Sequence, residues 1–185
     1  MENSIEKNAS CQFDMDIPAY ALAYMDEEQI SPDEIRQVLV KALSKFEIPQ
    51  SDSRRFFRSK SSDLGIMCKC PRSRKEKLDV NIIFAFRLSA AELNFTYNGK
   101  KVRIFYDENV CAPVSSNEKC TQKNKFDPSD GFITVLAHLD ELTATDKDED
   151  LILKDVITLC LWRHMKEDVL QLEIIAAPLA VHNID

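Results

Sequence analysis

Glycine is scarce in this sequence, which has three among 185 residues. Loops that hold phosphate groups need clustered glycines, because their backbone amides must approach the ligand closely. Gly65, Gly99 and Gly131 are widely separated, so the sequence lacks both the ATPase phosphate loop and the glycine motif that binds dinucleotides. We predict that the protein holds no cofactor.

Long apolar runs are absent as well. The longest ones cover a few residues, whereas a helix needs roughly 18 to span hydrocarbon, and the polar N-terminus lacks the apolar stretch of a signal peptide. With 44% apolar residues and a net charge of −7, we expect one soluble globular domain in the cytoplasm or nucleus, without a transmembrane segment. Reducing conditions there should keep the six cysteines as free thiols.

Histidine is also rare, with three residues, so a zinc site would depend on cysteine. Cys68, Cys70, Cys111 and Cys120 supply four thiols, but paired zinc ligands usually have two to four residues between them. Cys68 and Cys70 have one, and we expect their side chains on opposite faces of a strand. We therefore predict no metal site, with a Cys111–Cys120 disulfide as an alternative in an oxidising setting only.

One pair of residues suggests nucleophilic catalysis. Cys160 and His164 are four apart and would share a face if their segment were helical. However, Leu159 and Leu161 flank Cys160, and a thiol in such surroundings packs as a small hydrophobic group. We predict no catalytic residues, and an enzyme whose site has no local motif is a lesser alternative.

The clearest local signal is the start of a helix at Ser31-Pro32-Asp33-Glu34. Ser31 suits the N-cap, Pro32 the first helical position and Glu34 the reciprocal position of a capping box. Apolar residues then recur at helical spacing and predict one buried stripe, which consists of Ile35, Val38, Leu39, Leu43 and Phe46. Pro49 ends this helix.

Residues after Phe56 alternate with a period of two. They predict strands at 64–70, 79–88, 92–97 and 101–106. The last two are joined by Asn98-Gly99, which favours the type I′ turn of a tight hairpin.

The second half of the chain is less regular. It predicts a long polar loop at 107–130, a strand at 132–139, a helix at 149–165 capped by Asp146 or Asp148, and a strand at 169–175 that Pro178 ends. The apolar run 156–162 keeps a buried strand open as the alternative to the helix.

These elements predict an α+β fold: a single domain with a mostly antiparallel sheet and two helices packed on one face. Residues 1–29 form an N-terminal appendage, partly disordered, and residues 30–185 form the domain.

Charge is distributed unevenly along the chain. Between Arg54 and Lys77 lie nine basic and two acidic residues, which attract phosphate backbones or an acidic partner if they share one surface. Phe56 and Phe57 lie between the arginines and can offer stacking faces to unpaired bases. The candidate residues for binding an anionic partner are Arg54, Arg55, Arg58, Lys60, Arg72, Arg74, Lys75 and Lys77. The alternative is an ordinary solvated face.

The leading functional hypothesis is a non-enzymatic, intracellular protein–protein interaction module with a charge-separated surface. A viral accessory protein or a pathogen effector is compatible with these features. The alternative from another class is a single-stranded RNA- or DNA-binding protein that uses the basic region 54–77.

Overall fold

The computed structural model describes residues 12–45, 51–71, 77–108 and 127–176. It has an α+β fold, as predicted. Its helices are α1 (Ala19–Glu27), α2 (Pro32–Lys45), α3 (Pro128–Ala137) and α4 (Leu139–Thr143). Its strands are β1 (Phe13–Asp16), β2 (Ser51–Ser59), β3 (Leu64–Cys70), β4 (Leu78–Arg87), β5 (Glu92–Tyr97), β6 (Lys100–Tyr106), β7 (Glu149–Lys154), β8 (Thr158–Lys166) and β9 (Val169–Ala176).

The strands form two sheets where the sequence predicted one. The four-stranded sheet has the order β1-β4-β3-β2, and the five-stranded sheet has the order β5-β6-β9-β8-β7. Neighbouring strands are antiparallel except for β1–β4 and β6–β9, which confirms a mostly antiparallel architecture. The prediction of two helices on one face is wrong, because the described residues form four helices and two of these contact both sheets.

The start of α2 follows from its capping residues. The Oγ of Ser31 accepts a hydrogen bond from the backbone N–H of Glu34 at 3.1 Å, and Pro32 is the first helical residue. Four members of the predicted stripe are buried: Ile35, Val38, Leu39 and Leu43. Both the helix and its buried face are therefore confirmed, whereas Phe46 lies outside the described residues.

The hairpin of β5 and β6 also forms as predicted. Asn98 and Gly99 have φ angles of 49° and 79°, and Tyr97 pairs with Lys100. Positive φ at both central positions is what a type I′ turn requires. The predicted strands at 64–70, 79–88 and 169–175 are present as β3, β4 and β9.

Aromatic rings join the two sheets. Phe84 of β4 and Phe95 of β5 have ring centroids 4.8 Å apart, and Tyr24 of α1 contacts both. On the other side, Phe132 of α3 contacts Phe86 of β4 and Tyr106 of β6. Helices α1 and α3 thus pack against both sheets around one apolar core.

Part of the predicted N-terminal appendage belongs to this core. Phe13 of β1 and Tyr24 and Met25 of α1 are 4% exposed or less, and β1 extends the four-stranded sheet beside β4. Residues 13–27 are therefore integrated into the fold, because their apolar side chains are buried by it. Residues 1–11 lie outside the described residues.

The predicted strand at 132–139 is wrong, because the segment forms α3 and α4. Asp127 is the N-cap of α3 and accepts a hydrogen bond from the backbone N–H of Ser129 at 2.9 Å, and Pro128 takes the first turn. Helix α2 begins in the same way, with a capping side chain at Ser31 followed by Pro32. The apolar run hides the helical period because α3 is buried on nearly every side. Of the predicted loop 107–130, residues 109–126 lie outside the described residues.

The predicted helix at 149–165 is wrong as well. The segment forms β7 and β8, an antiparallel hairpin in which Leu153 pairs with Leu159. Asp146 and Asp148 do not cap a helix: Asp146 pairs with the Nζ of Lys100 at 2.5 Å, and Asp148 accepts a hydrogen bond from the backbone N–H of Met165. The run 156–162 lacks a polar face because one face of β8 meets the core and the other face carries exposed apolar residues. Strand β9 ends at Ala176, and Pro178, which was predicted to end it, lies outside the described residues.

Candidate functional site

The basic stretch does not present free arginines along β2. Arg54 donates to the backbone oxygen of Ala137 at the end of α3, and its Nη2 lies 3.8 Å from Oδ2 of Asp155. Arg58 has its Nη1 3.1 Å from Oδ2 of Asp127 and also pairs with Asp130. Carboxylates from the second half of the chain therefore offset two of the basic charges.

The remaining basic candidates are in different surroundings. Arg55 is half-buried, pairs across the strands with Cys68 and lowers the pKa of that thiol against the stronger effect of burial. Lys60 and Lys77 are exposed, and the charge of Lys60 contributes to the lowered pKa of Asp127. Arg72, Arg74 and Lys75 lie outside the described residues.

The two phenylalanines between the arginines contribute to packing. Phe56 and Phe57 are half-buried against the apolar core. The ring of Phe56 stacks on Phe86 at 6.1 Å, with the guanidinium of Arg58 5.1 Å from its centre. Phe56 is thus already in contact with a ring and a cation within the molecule.

Cys68 and Cys70 lie on the same side of β3. Both are buried, and the neighbouring Cys70 adds to the effect of burial on the pKa of Cys68. The expectation of opposite faces is wrong, because side chains two residues apart on a strand return to the same face. Burial raises the pKa of Cys68 to about 12, so the thiol stays protonated. The described residues contain no group of three or more potential metal ligands, and Cys111 and Cys120 lie outside them.

A cavity of about 380 Å³ lies between β2, α3 and the turn from β7 to β8. Phe56, Met67 and Ile133 form much of its wall. Its charged pair, Arg54 and Asp155, is engaged as described above. This cavity is therefore lined by both apolar and charged side chains, the charged ones being Arg54, Arg55 and Asp155.

The pair that suggested nucleophilic catalysis, Cys160 and His164, lies away from the cavity. Cys160 and His164 are on β8 rather than on a helix, and Trp162 lies between them on the same face. The rings of Trp162 and His164 stack with centroids 3.9 Å apart and planes 24° apart. The pair therefore does not form a Cys–His dyad, because the indole separates the two side chains.

These residues belong to the face of the five-stranded sheet that points away from the core. Trp162 is 40% exposed there, Ile152 of β7 67% and Ile175 of β9 38%. Strand register also places Phe105 of β6 on this face. We call this surface the sheet platform; it comprises Phe105, Ile152, Cys160, Trp162, His164, Glu173 and Ile175.

The centre of the sheet platform is an acid between two aromatic side chains. Glu173 pairs in register with Phe105 on one side and Trp162 on the other. Burial is the main cause that raises the pKa of Glu173, and a hydrogen bond with Asp107 adds to it. The guanidinium of Arg103 lies 4.1 Å from the centre of the Phe105 ring.

The face as a whole is nearly neutral. Four basic and three acidic side chains point outward on its strands, and Arg103 and Glu92 pair with each other at 2.5 Å. These charged residues are Lys101, Arg103, Lys154, Lys166, Glu92, Asp150 and Glu173. Sequence reasoning missed the platform because it treated 149–165 as a helix. The alternation of Cys160, Trp162 and His164 with buried Leu159, Leu161 and Arg163 was the available signal.

Comparisons with protein-family models, with curated proteins and with solved structures found no significant match. None of the helices in the described parts of the chain has the length and apolar character needed to cross a membrane.

Proposed function

We propose that this protein is a non-enzymatic protein–protein interaction module and that it binds its partner through the sheet platform. The observation that carries this proposal is the exposure of Trp162 beside Ile152 and Ile175 on a sheet face that no described helix covers. We further propose that the protein acts in the cytoplasm or nucleus, where reducing conditions keep Cys68 and Cys70 as thiols.

The composition of the platform favours a protein partner. Tryptophan contributes strongly to binding at protein interfaces, and the centres of such interfaces are depleted of charge. Trp162 has His164 stacked on it, so the indole is held in place before a partner arrives. A partner that presents an apolar, uncharged surface complements this face.

The charge balance argues against nucleic acid on the same face. Affinity for a phosphate backbone comes from an excess of lysine and arginine, and the four basic residues here are opposed by three acidic ones. The positive charge of β2 is offset in the same way, because Arg54 and Arg58 already pair with carboxylates.

A photocrosslinking amino acid at position 175, which leaves Trp162 in place, tests the proposal in cells that make the protein. We expect a covalent adduct with a partner protein from this position, because Ile175 is exposed on the platform. The matched control is position 22, because Leu22 of α1 is 41% exposed and lies outside the platform. Adducts that form equally from both positions, or only from position 22, contradict the proposal.

Binding measurements with the captured partner provide the second step. Replacing Trp162 with Ala should weaken the affinity by about tenfold or more, since a central tryptophan at an interface contributes roughly 2 kcal/mol. Leu22→Ala should bind like the wild type. Because Trp162 is the single tryptophan of the chain, protection of its fluorescence from acrylamide reports directly on coverage of the platform.

A further inference from the structure

Strand β7 lies at the edge of the five-stranded sheet. It pairs with β8 on one side, and no strand in the described part of the chain pairs with its other side. The outward N–H and C=O groups of such a strand are a template for pairing with another chain.

The side chains of β7 alternate between two faces. Asp150, Ile152 and Lys154 point to the outer face, where Asp150 and Ile152 are register partners of Trp162 and Cys160. Ile152 is the most exposed large apolar side chain in the described residues. Neither Asp150 nor Lys154 forms an ion pair with any described residue.

This pattern is complementary to itself when the strand is reversed. If two copies of β7 pair antiparallel about a two-fold axis at Ile152, Asp150 of each copy lies opposite Lys154 of the other. The two Ile152 side chains then face each other at the axis, and Leu151 lies opposite Leu153 on the inner face. Directly opposed side chains of unlike charge, or of matching apolar character, stabilise antiparallel strands.

Other registers lose this complementarity. A two-fold axis at Leu151 places Asp150 opposite Ile152, and an axis at Leu153 places Ile152 opposite Lys154. The register centred on Ile152 is thus the one that pairs both charges and both isoleucines.

We propose that two copies of this chain pair through β7 in that register and form a continuous ten-stranded sheet. Because a two-fold interface uses the same surface of both subunits, the Asp150–Lys154 pair occurs twice, once on each side of the axis. This inference goes beyond the proposed function, since it concerns the strand edge rather than the face of the sheet. The dimer places the two sheet platforms side by side on one surface.

Sedimentation equilibrium of the full chain is the first test. We expect a species of twice the 21.2 kDa chain mass to form as the concentration rises to about 100 μM. A monomer over the whole range overturns the proposal.

Charge reversal at the edge is the decisive test. Asp150→Lys and Lys154→Asp each place like charges opposite one another twice, so each should raise the dimer Kd by about tenfold or more. The double variant exchanges the two charges and should recover the wild-type Kd. If it stays as weak as the single variants, the register is wrong and the proposal fails.

Two further variants complete the test. Asp52→Lys is the matched control, because Asp52 is an exposed acid on β2, the edge strand of the other sheet. It should leave the dimer Kd unchanged, and an equal loss in this variant overturns the proposal. Ile152→Arg places two positive charges at the axis and should give a folded monomer by circular dichroism and sedimentation. A dimer that persists in this variant contradicts the assigned interface.

Discussion

Arg87 of β4 binds Glu34 of α2, with Nη1 2.6 Å from Oε1. The same guanidinium donates to the backbone oxygens of Gln29, just before α2, and Ser62, in the turn before β3. Hydrogen bonds with Glu34 are the main cause that raises the pKa of Arg87. One side chain therefore fastens the start of α2 to the four-stranded sheet. Glu34, which the sequence assigned to a capping box, is the carboxylate in this contact.

We expect Arg87→Ala to lower the free energy of unfolding by about 1–3 kcal/mol, because it leaves a carboxylate and two carbonyls without their donor. Urea denaturation measures the change. Lys41→Ala, an exposed position on α2, is the control and should stay within about 0.5 kcal/mol of the wild type. Equal values for the two variants would show that Arg87 does not anchor the helix.

The raised pKa of Glu173 predicts a specific dependence of stability on pH. An acid whose pKa is higher in the folded state favours folding while it is protonated, and this contribution is lost as pH rises through the folded pKa. Glu173→Gln keeps the side chain neutral, so the variant should be more stable than the wild type at pH 7. The difference should shrink as the pH falls through the raised pKa of the folded protein, and it should be nearly gone below about 4.3, the ordinary pKa of glutamate. Thermal melts across this range would contradict the assignment if the difference were constant.

Cys68 and Cys160 should differ in reactivity. Cys68 is fully buried and its thiol stays protonated, whereas Cys160 is partly exposed on the sheet platform. Iodoacetamide labelling followed by peptide mass spectrometry should modify Cys160 first and reach Cys68 only after denaturation, because the thiolate is the reactive form. Labelling of Cys68 in the native protein at the rate of Cys160 would disprove this burial.

Oligonucleotide binding tests the alternative function. Because carboxylates offset Arg54 and Arg58, we expect a labelled single-stranded oligonucleotide to show no anisotropy change, even at low ionic strength, where attraction is strongest. The nucleic-acid hypothesis regains support if binding appears and weakens steeply with salt. In that case, charge reversal at Arg72, Arg74 and Lys75 should lower both the affinity and the salt slope.

Local signals in the sequence predicted the elements that depend on local chemistry. The Ser31 cap begins α2 and the Asn98-Gly99 turn closes β5–β6, because each rests on the conformational preferences of a few adjacent residues. The segments after residue 127 were assigned to the wrong class, since their apolar residues are buried by partners distant in sequence and their period alone does not distinguish a buried helix from a strand.

The candidate site was harder to predict for the same reason. Nothing near Arg58 in the sequence indicates that Asp127 and Asp130 will neutralise it. Trp162 was not recognised as a surface residue because its exposure depends on which face of β8 the core covers. The α+β class survived these errors because both sheets are mostly antiparallel.

The order of strands in the larger sheet affects how the chain folds during synthesis. Strand β9 is the last described strand, yet it lies between β6 and β8. While it is still within the ribosome, the hairpins β5–β6 and β7–β8 have no strand to join them, and isolated two-stranded hairpins are marginal in water. The platform is therefore completed only when β9 emerges, because β9 is the strand that joins the two hairpins into one sheet.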